Sequence, residues 1–273
     1  MTDLQRKKIM LITGASGGIG ADLARHAGRQ GHEMVLVARN GAALEKLADE
    51  IANLPGRPVL RPLVFACDLA APGGPAAVEA FIARSGVIPE IVVNNAGYGL
   101  LGPAADGDLI EELGMIDLNI RALTEMSLRF ADALIATKGK LLNVASIASY
   151  MPGPGMAIYY ASKAYVRSFS EALSAELAPH GVTVTTLCPG PVPTGFGARA
   201  GFGGKMNLLK LASVSSPEVA RVGYDAMMAG KRVVIPGLIA KLSVWSASVT
   251  PNALLLLLVS AVQLGRAKGG VKE

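Results

Sequence analysis

From residue 9 onward, short apolar runs alternate with longer stretches whose apolar residues recur at helical spacing. Ile9 to Ile12, Met34 to Ala38, Leu63 to Cys67, Ile91 to Val93, Lys140 to Val144, Val182 to Leu187 and Arg232 to Ile235 predict strands. Between them, Ala21 to Gln30, Ala42 to Asn53, Pro75 to Arg84, Leu109 to Phe130 and a segment running through Glu176 predict helices. Ser216-Pro217-Glu218 opens another helix, with a capping serine and a first-turn proline. The distance from the first run to the second matches one strand–helix–strand unit. At 273 residues this α/β chain has ample length to bury a core, as one large domain or two small ones.

The pattern changes after Pro236. Pro236 to Val249 is apolar in character, with Lys241 and Trp245, Pro251 breaks the run, and Ala253 to Leu264 contains Leu254 to Leu258 in succession. Neither half reaches the ~18–20 uninterrupted apolar residues of a membrane-spanning helix. A helix hairpin packed against a partner subunit is the expectation, with shallow membrane association as the alternative. The chain thus divides into a core domain, 1–236, and an apolar helical extension, 237–273. Gly195 to Ser213 is glycine-rich and carries Phe196, Phe202, Met206, Leu208 and Leu209. It reads as an apolar flap over a ligand or as an insertion.

Composition narrows the function classes. Hydrophobic residues make up 51% and charged residues 17%, so some apolar surface is expected to be covered by a partner or a membrane. The net charge of +5 is mild, and Lys and Arg are scattered apart from Arg6-Lys7-Lys8. The phosphates of a small cofactor account for that excess as well as nucleic acid would, and the expected partner is a small molecule with no nucleic acid. Cys67 and Cys188 have no metal-type spacing and form no disulfide framework, which fits two buried thiols in a reducing compartment and no metal site. The charged start leads into an apolar run shorter than the ~7–15 residues a secretory signal needs, so the expected location is cytoplasmic.

The chemistry begins at Thr13-Gly14-Ala15-Ser16-Gly17-Gly18-Ile19-Gly20, a glycine turn between the first strand and the first helix. Missing side chains let backbone approach a pyrophosphate, and a helix N-terminus offers free N–H groups and positive potential. Gly14, Ser16, Gly18, Ile19 and Gly20 are therefore candidate cofactor contacts. A carboxylate ending the second strand would bind the ribose of NAD, but here the strand ends Val37-Ala38-Arg39-Asn40. The Arg39 guanidinium can pair with a 2′-phosphate, which favours NADP(H). Asp68, at the end of the third strand, is a candidate adenine contact or a local cap. Asn94-Asn95-Ala96-Gly97 ends the fourth strand, where amides brace neighbouring strands and small residues leave room for a ribose.

These two stretches resemble the short-chain dehydrogenase/reductase family. The resemblance covers about residues 9–235 and implies a single-domain Rossmann fold, a doubly wound parallel sheet of about seven strands. Asn95, Ala96 and Gly97 would then face the cofactor. Asn119 is a poor helix former inside an apolar pattern, which asks for a buried backbone contact or a bound water. In the family the matching Asn holds a water in a proton relay. Tyr159 and Lys163 are four apart, so on a helix they project from one face, where an ammonium lowers a phenol's pKa. Ser146 leaves the fifth strand. The family's serine precedes its tyrosine by about thirteen residues, which selects Ser146 over Ser149. Tyr160 lacks a lysine four residues on, Ala164 standing there, and reads as packing. Pro189, Gly190 and Thr194 match the family's Pro-Gly-x-x-x-Thr, implying that the Val192 backbone and Thr194 meet the nicotinamide carboxamide.

The implied activity is hydride transfer between NADP(H) and a carbonyl or secondary alcohol, with an apolar small-molecule substrate. Ser146, Tyr159, Lys163 and Asn119 would be the catalytic set. The alternatives are a 3-oxoacyl reductase and a non-catalytic, membrane-associated NADP(H)-binding scaffold. Family members often form homodimers or homotetramers.

Overall fold

The computed structural model describes residues 6–55, 60–193, 195 and 213–267, the last six of these as backbone only. Seven parallel strands form one sheet in the order β3-β2-β1-β4-β5-β6-β7. They are β1 (Lys7–Thr13), β2 (Met34–Ala38), β3 (Leu63–Ala66), β4 (Val87–Asn94), β5 (Lys140–Val144), β6 (Thr183–Leu187) and β7 (Val233–Val234). The first half winds outward from β1 and the second outward from β4, so the order reverses between these neighbours. That reversal opens a crevice beyond their C-terminal ends, at Thr13 and Asn94.

Alternation along each strand feeds a core on either side of the sheet. Met10, Ile12, Leu36, Val93 and Leu142 pack on one side with helix α1 (Gly18–Arg29). Ile9, Leu11, Val37, Val92 and Leu141 pack on the other with α3 (Gly74–Arg84) and the helices after β4. Helix α2 (Gly41–Ala52) begins at Asn40, whose side chain accepts from the Ala43 N–H at 3.0 Å.

Two elements depart from the sequence pattern. Strand β4 begins at Val87, ahead of the apolar run Ile91 to Val93, and passes through Pro89. Ile9 pairs with Pro89 and Met10 with Ile91, so Glu90 is the extra residue of a bulge, a place where a strand tolerates proline. The expected single helix from Leu109 to Phe130 is instead α4 (Leu109–Ile116), a π-helical turn (Asp117–Ala122) and α5 (Leu123–Arg129). Asn119 lies in that turn. Helix α6 (Ala131–Thr137) leads to β5, and α7 (Ala157–Leu177) joins β5 to β6 through a 3-10 turn (Ile147–Tyr150).

After α8 (Ser216–Met228), which packs along α1, the extension forms α9 (Leu238–Val249) and α10 (Asn252–Ala267). Helix α9 folds back over the chain's own 3-10 turn, with Ala240, Val244 and Ala247 buried. Among the described residues no helix is long and apolar enough to cross a membrane. Thr194 and nearly all of the glycine-rich stretch expected to be a flap lie outside the described residues.

Candidate active site

The turn after β1 has the shape its glycines permit. Gly14 (φ +65°) and Gly18 (φ +54°) occupy the left-handed region. A Cβ on Gly20 would overlap the Gly14 carbonyl and the Asn95 amide, so only glycine lets α1 start this close to the end of β4. Gly17, at the N-cap, supplies no side-chain hydrogen bond, which leaves the first N–H groups of α1 facing the crevice.

A polar lattice fastens β1 to β4 here. Thr13 Oγ1 donates to the Val93 carbonyl at 3.1 Å and accepts from the N–H groups of Asn95 (3.0 Å) and Ala96 (3.2 Å). The Asn95 amide donates back to the carbonyls of Thr13 and Gly14. One residue earlier, Asn94 turns inward and donates to Ser127 Oγ and Asn143 Oδ1, both at 3.0 Å. Asn94 thus braces the sheet from below while Asn95 shapes the crevice floor.

The buried contact expected of Asn119 is a two-way clasp on Tyr98: Oδ1 accepts from the Tyr98 N–H at 3.1 Å and Nδ2 donates to the Tyr98 carbonyl at 2.9 Å. Nδ2 also donates to Ser162 Oγ on α7 at 3.1 Å. The π turn thereby joins the segment that follows β4 to the helix carrying Tyr159 and Lys163. Gly97 fits between them, since a Cβ there would come within 2.9 Å of Asn119 Oδ1 and 3.4 Å of Lys163 Nζ.

Lys163 is buried, and its ammonium donates to the Val144 carbonyl at 2.9 Å and sits 5.9 Å from the centre of the Tyr159 ring. Burial pulls its pKa down from 10.5 to about 8. Burial pushes the Tyr159 phenol up to about 12, against the opposing pull of a hydrogen bond with Ser146. In the cofactor-free chain desolvation sets the direction for Tyr159, and the opposing pull comes from Ser146. Ser146 Oγ also accepts from the Ala148 N–H at 3.1 Å. The rival Ser149 donates to the Ser146 carbonyl at 2.6 Å, behind that hydroxyl.

One cleft of about 920 Å³ runs across these elements. Its walls include Gly14, Ser16, Gly18 and Ile19 of the turn, Arg39 and Asp68 at the ends of β2 and β3, and Asn95, Ala96 and Gly97 after β4. Ser146, Tyr159, Lys163, Pro189, Gly190 and Val192 line the rest of the predicted set. Gly20 and Asn119 stand behind the lining. Asp68 also accepts from the Ala70 N–H at 3.0 Å, so it makes a local turn as well as facing the cleft. Arg39 is exposed and makes no ion pair among the described residues. Tyr160 reaches the cleft too, with its ring closely packed over Gly153. The glycine cradle, the open α1 N-terminus and the unpaired Arg39 together fit a phosphate-bearing dinucleotide.

The sequence reading missed the far wall. Ser243, Ser246 and Ala247 of α9 and Thr250 at its end, with Leu255, Leu258 and Val259 of α10, close that end of the cleft. Their signal was the i, i+3, i+4, i+7 spacing of small and hydroxyl residues within an otherwise apolar helix. No group of three or more His, Cys, Asp or Glu that could hold a metal occurs among the described residues. Cys188 is buried and Cys67 half-buried, both as free thiols.

Known proteins share this design. "Probable oxidoreductase EphD" of Mycobacterium tuberculosis is 35% identical over 199 residues, a match covering 71% of this chain and 32% of that one. This chain therefore spans about a third of that relative's length. The solved short-chain dehydrogenase from Sphingobium yanoikuyae in complex with NADPH is 30% identical with a TM-score of 0.76, covering 89% of this chain and 93% of that chain. The 3-ketoacyl-(acyl-carrier-protein) reductase from Brucella melitensis complexed with NADH is 27% identical with a TM-score of 0.73, covering 85% and 98%. The sequence profile of the short chain dehydrogenase family matches residues 8–201, and this chain belongs to that family of oxidoreductases.

Proposed function

We propose that the chain is an NADP(H)-dependent oxidoreductase that interconverts an apolar ketone or aldehyde with its alcohol. The observation that carries this reading is the convergence of Ser146, Tyr159 and Lys163 on the cleft whose other end holds the glycine cradle and the unpaired Arg39. The likeness to a dehydrogenase in complex with NADPH supports the cofactor class, and Arg39 at the end of β2 supports the phosphorylated form.

The glycine turn and the first N–H groups of α1 would hold the pyrophosphate, Arg39 the 2′-phosphate, and Lys163 the ribose hydroxyls. When bound, the nicotinamide supplies the hydride donor or acceptor. The rest is work for the chain's own groups. Ser146 and Tyr159, already joined by a hydrogen bond, present two hydroxyls to the substrate oxygen. With its pKa at about 12, Tyr159 is fully protonated at neutral pH and gives its proton to the oxygen as negative charge develops there. The Lys163 ammonium beside the ring stabilises the phenolate left behind. Asn119 positions this pair by clasping Tyr98 and Ser162.

The test pairs two variants. Tyr159→Phe is expected to bind NADPH as the wild type does and to lose nearly all turnover of an apolar ketone; retained turnover refutes the acid role. Arg39→Ala is expected to weaken NADPH by about tenfold or more and to leave NADH unchanged, as befits one lost charge-assisted contact. Equal losses for both cofactors count against the 2′-phosphate contact. The likeness to a 3-ketoacyl reductase favours 3-oxoacyl thioesters as the second substrate class for the same assay.

A further inference from the structure

The inner face of the C-terminal hairpin closes the cleft, and its outer face has no role in anything above. On α9, Leu238, Leu242, Trp245 and Val249 recur at i, i+4, i+7 and i+11, so they form one stripe. They are 72%, 56%, 67% and 64% exposed. Helix α10 adds exposed Leu254 and Leu257. A buried inner face explains why α9 folds back; it does not explain this stripe, which costs solubility as it stands.

Charge identifies what covers it. From Gly237 to Ala261 the sequence contains no Asp or Glu, and Lys241 is its single charged residue. Lys241 lies about 60° around α9 from Leu238, so it flanks the stripe and can extend its ammonium beside it. A second copy docked on this face about a twofold axis would set like charges against each other. An anionic surface would not.

We propose that the outer face of the α9–α10 hairpin docks on an anionic lipid surface, with both helices lying in its plane. Leucines and a tryptophan on one face with lysine at the margin are the side chains that settle at a headgroup boundary. The 16 residues of α10 extend about 24 Å, short of the ~30 Å apolar thickness of a bilayer, so the hairpin lies on the surface without spanning it. Leu258 is exposed and also lines the cleft, which puts the mouth of the cleft at the edge of the docking face. Granting the oxidoreductase reading, a carbonyl compound dissolved in lipid enters the site from the surface on which the protein rests.

Trp245 is the single tryptophan of the chain, so its emission reports the docking face directly. Full-length protein would be titrated with vesicles of phosphatidylcholine containing phosphatidylglycerol, and with vesicles of phosphatidylcholine alone. The expected result is a blue shift and co-sedimentation with the anionic vesicles, weakened by high salt and by omission of phosphatidylglycerol. The double variant Leu242→Glu, Val249→Glu, at two exposed positions outside the cleft lining, is expected to lose about tenfold or more in vesicle binding with unchanged thermal unfolding. Absence of binding, or binding indifferent to the double variant, overturns the proposal. So does a blue shift that grows with protein concentration without vesicles, which would assign the face to a second copy. None of these readouts uses cofactor or turnover, so this proposal and the catalytic one fail separately.

Discussion

Replacing Lys163 by methionine is expected to stabilise the cofactor-free chain at neutral pH. The lysine is 5% exposed, and the hydrogen bond described for its ammonium goes to the Val144 carbonyl at 2.9 Å. Burial brings its pKa from 10.5 to about 8 in the folded chain, whereas the unfolded chain keeps the proton up to 10.5. The folded state thus binds fewer protons than the unfolded state between these values. The cost of the buried charge is fully present below pH 8, shrinks as pH rises towards 10.5, and is absent above it. At ~1.4 kcal/mol per pH unit that cost is about 3 kcal/mol. Methionine fills a similar volume but leaves the Val144 carbonyl without this donor, a loss of about 1 kcal/mol. The net expectation for Lys163→Met is a gain of about 2 kcal/mol at pH 7, vanishing or reversing by pH 10.5. Urea unfolding of both proteins at the two pH values measures it. Cys188 and Tyr159 stand beside the ammonium, so their titration above pH 8 differs between the two proteins, and the comparison at pH 7, where both are protonated, carries the test. A variant no more stable than wild type at pH 7, or a gain independent of pH, refutes the reasoning. Saturating NADPH is expected to erase the gain, since in the proposed complex the wild-type ammonium acquires partners that methionine cannot supply.

Asn119→Ala strips both partners from the buried Tyr98 backbone and the donor from Ser162, so a loss of about 2–5 kcal/mol is expected in urea unfolding; a loss under ~0.5 kcal/mol would show that the clasp does not hold the π turn. Gly20→Ala drives a methyl into the Gly14 carbonyl and the Asn95 amide, and is expected to cost about 1–3 kcal/mol and to weaken cofactor binding. Gly17→Ala is the control: with extended backbone at φ −179° and no atom within 4 Å of the added carbon, its stability should stay within ~0.5 kcal/mol of wild type.

Features that act within a few residues were legible in the sequence. The glycine turn, the Pro-Gly exit after β6 and the spacing of Tyr159 and Lys163 each carry their geometry locally, and the alternation of runs marked the strands, while their assembly into one parallel sheet followed from the family resemblance. What escaped depends on distant partners. The start of β4 was hidden because Pro89 reads as a strand breaker unless the bulge opposite Ile9 is known. The π turn was hidden because its wider turn shifts the helical phase only once, within the scatter of the apolar pattern; Asn119, misplaced in an apolar helix, was the one hint. The pairing of Tyr159 with Lys163 was visible in sequence, whereas the burial that raises the phenol in the cofactor-free chain was not.

The two ends of the cleft rest on different physics, and that bears on how the proposed activity can vary. The cofactor end is backbone: positive-φ glycines, free N–H groups and strand ends tied by Thr13 and Asn95, where a changed side chain breaks the fold before it changes a preference. Arg39 is the exception, an exposed side chain at the rim that can change without disturbing the sheet. The substrate end is side chains on two terminal helices whose inner residues face the cleft and whose outer residues carry the apolar stripe. Neither α9 nor α10 contributes a strand or a residue of the two main cores, so substitutions there can alter the shape of the cleft while the sheet and the cofactor end remain intact. On the two proposals above, substrate choice and surface docking would be coupled through this extension: a change in the tilt of α9 moves the cleft wall and the stripe together.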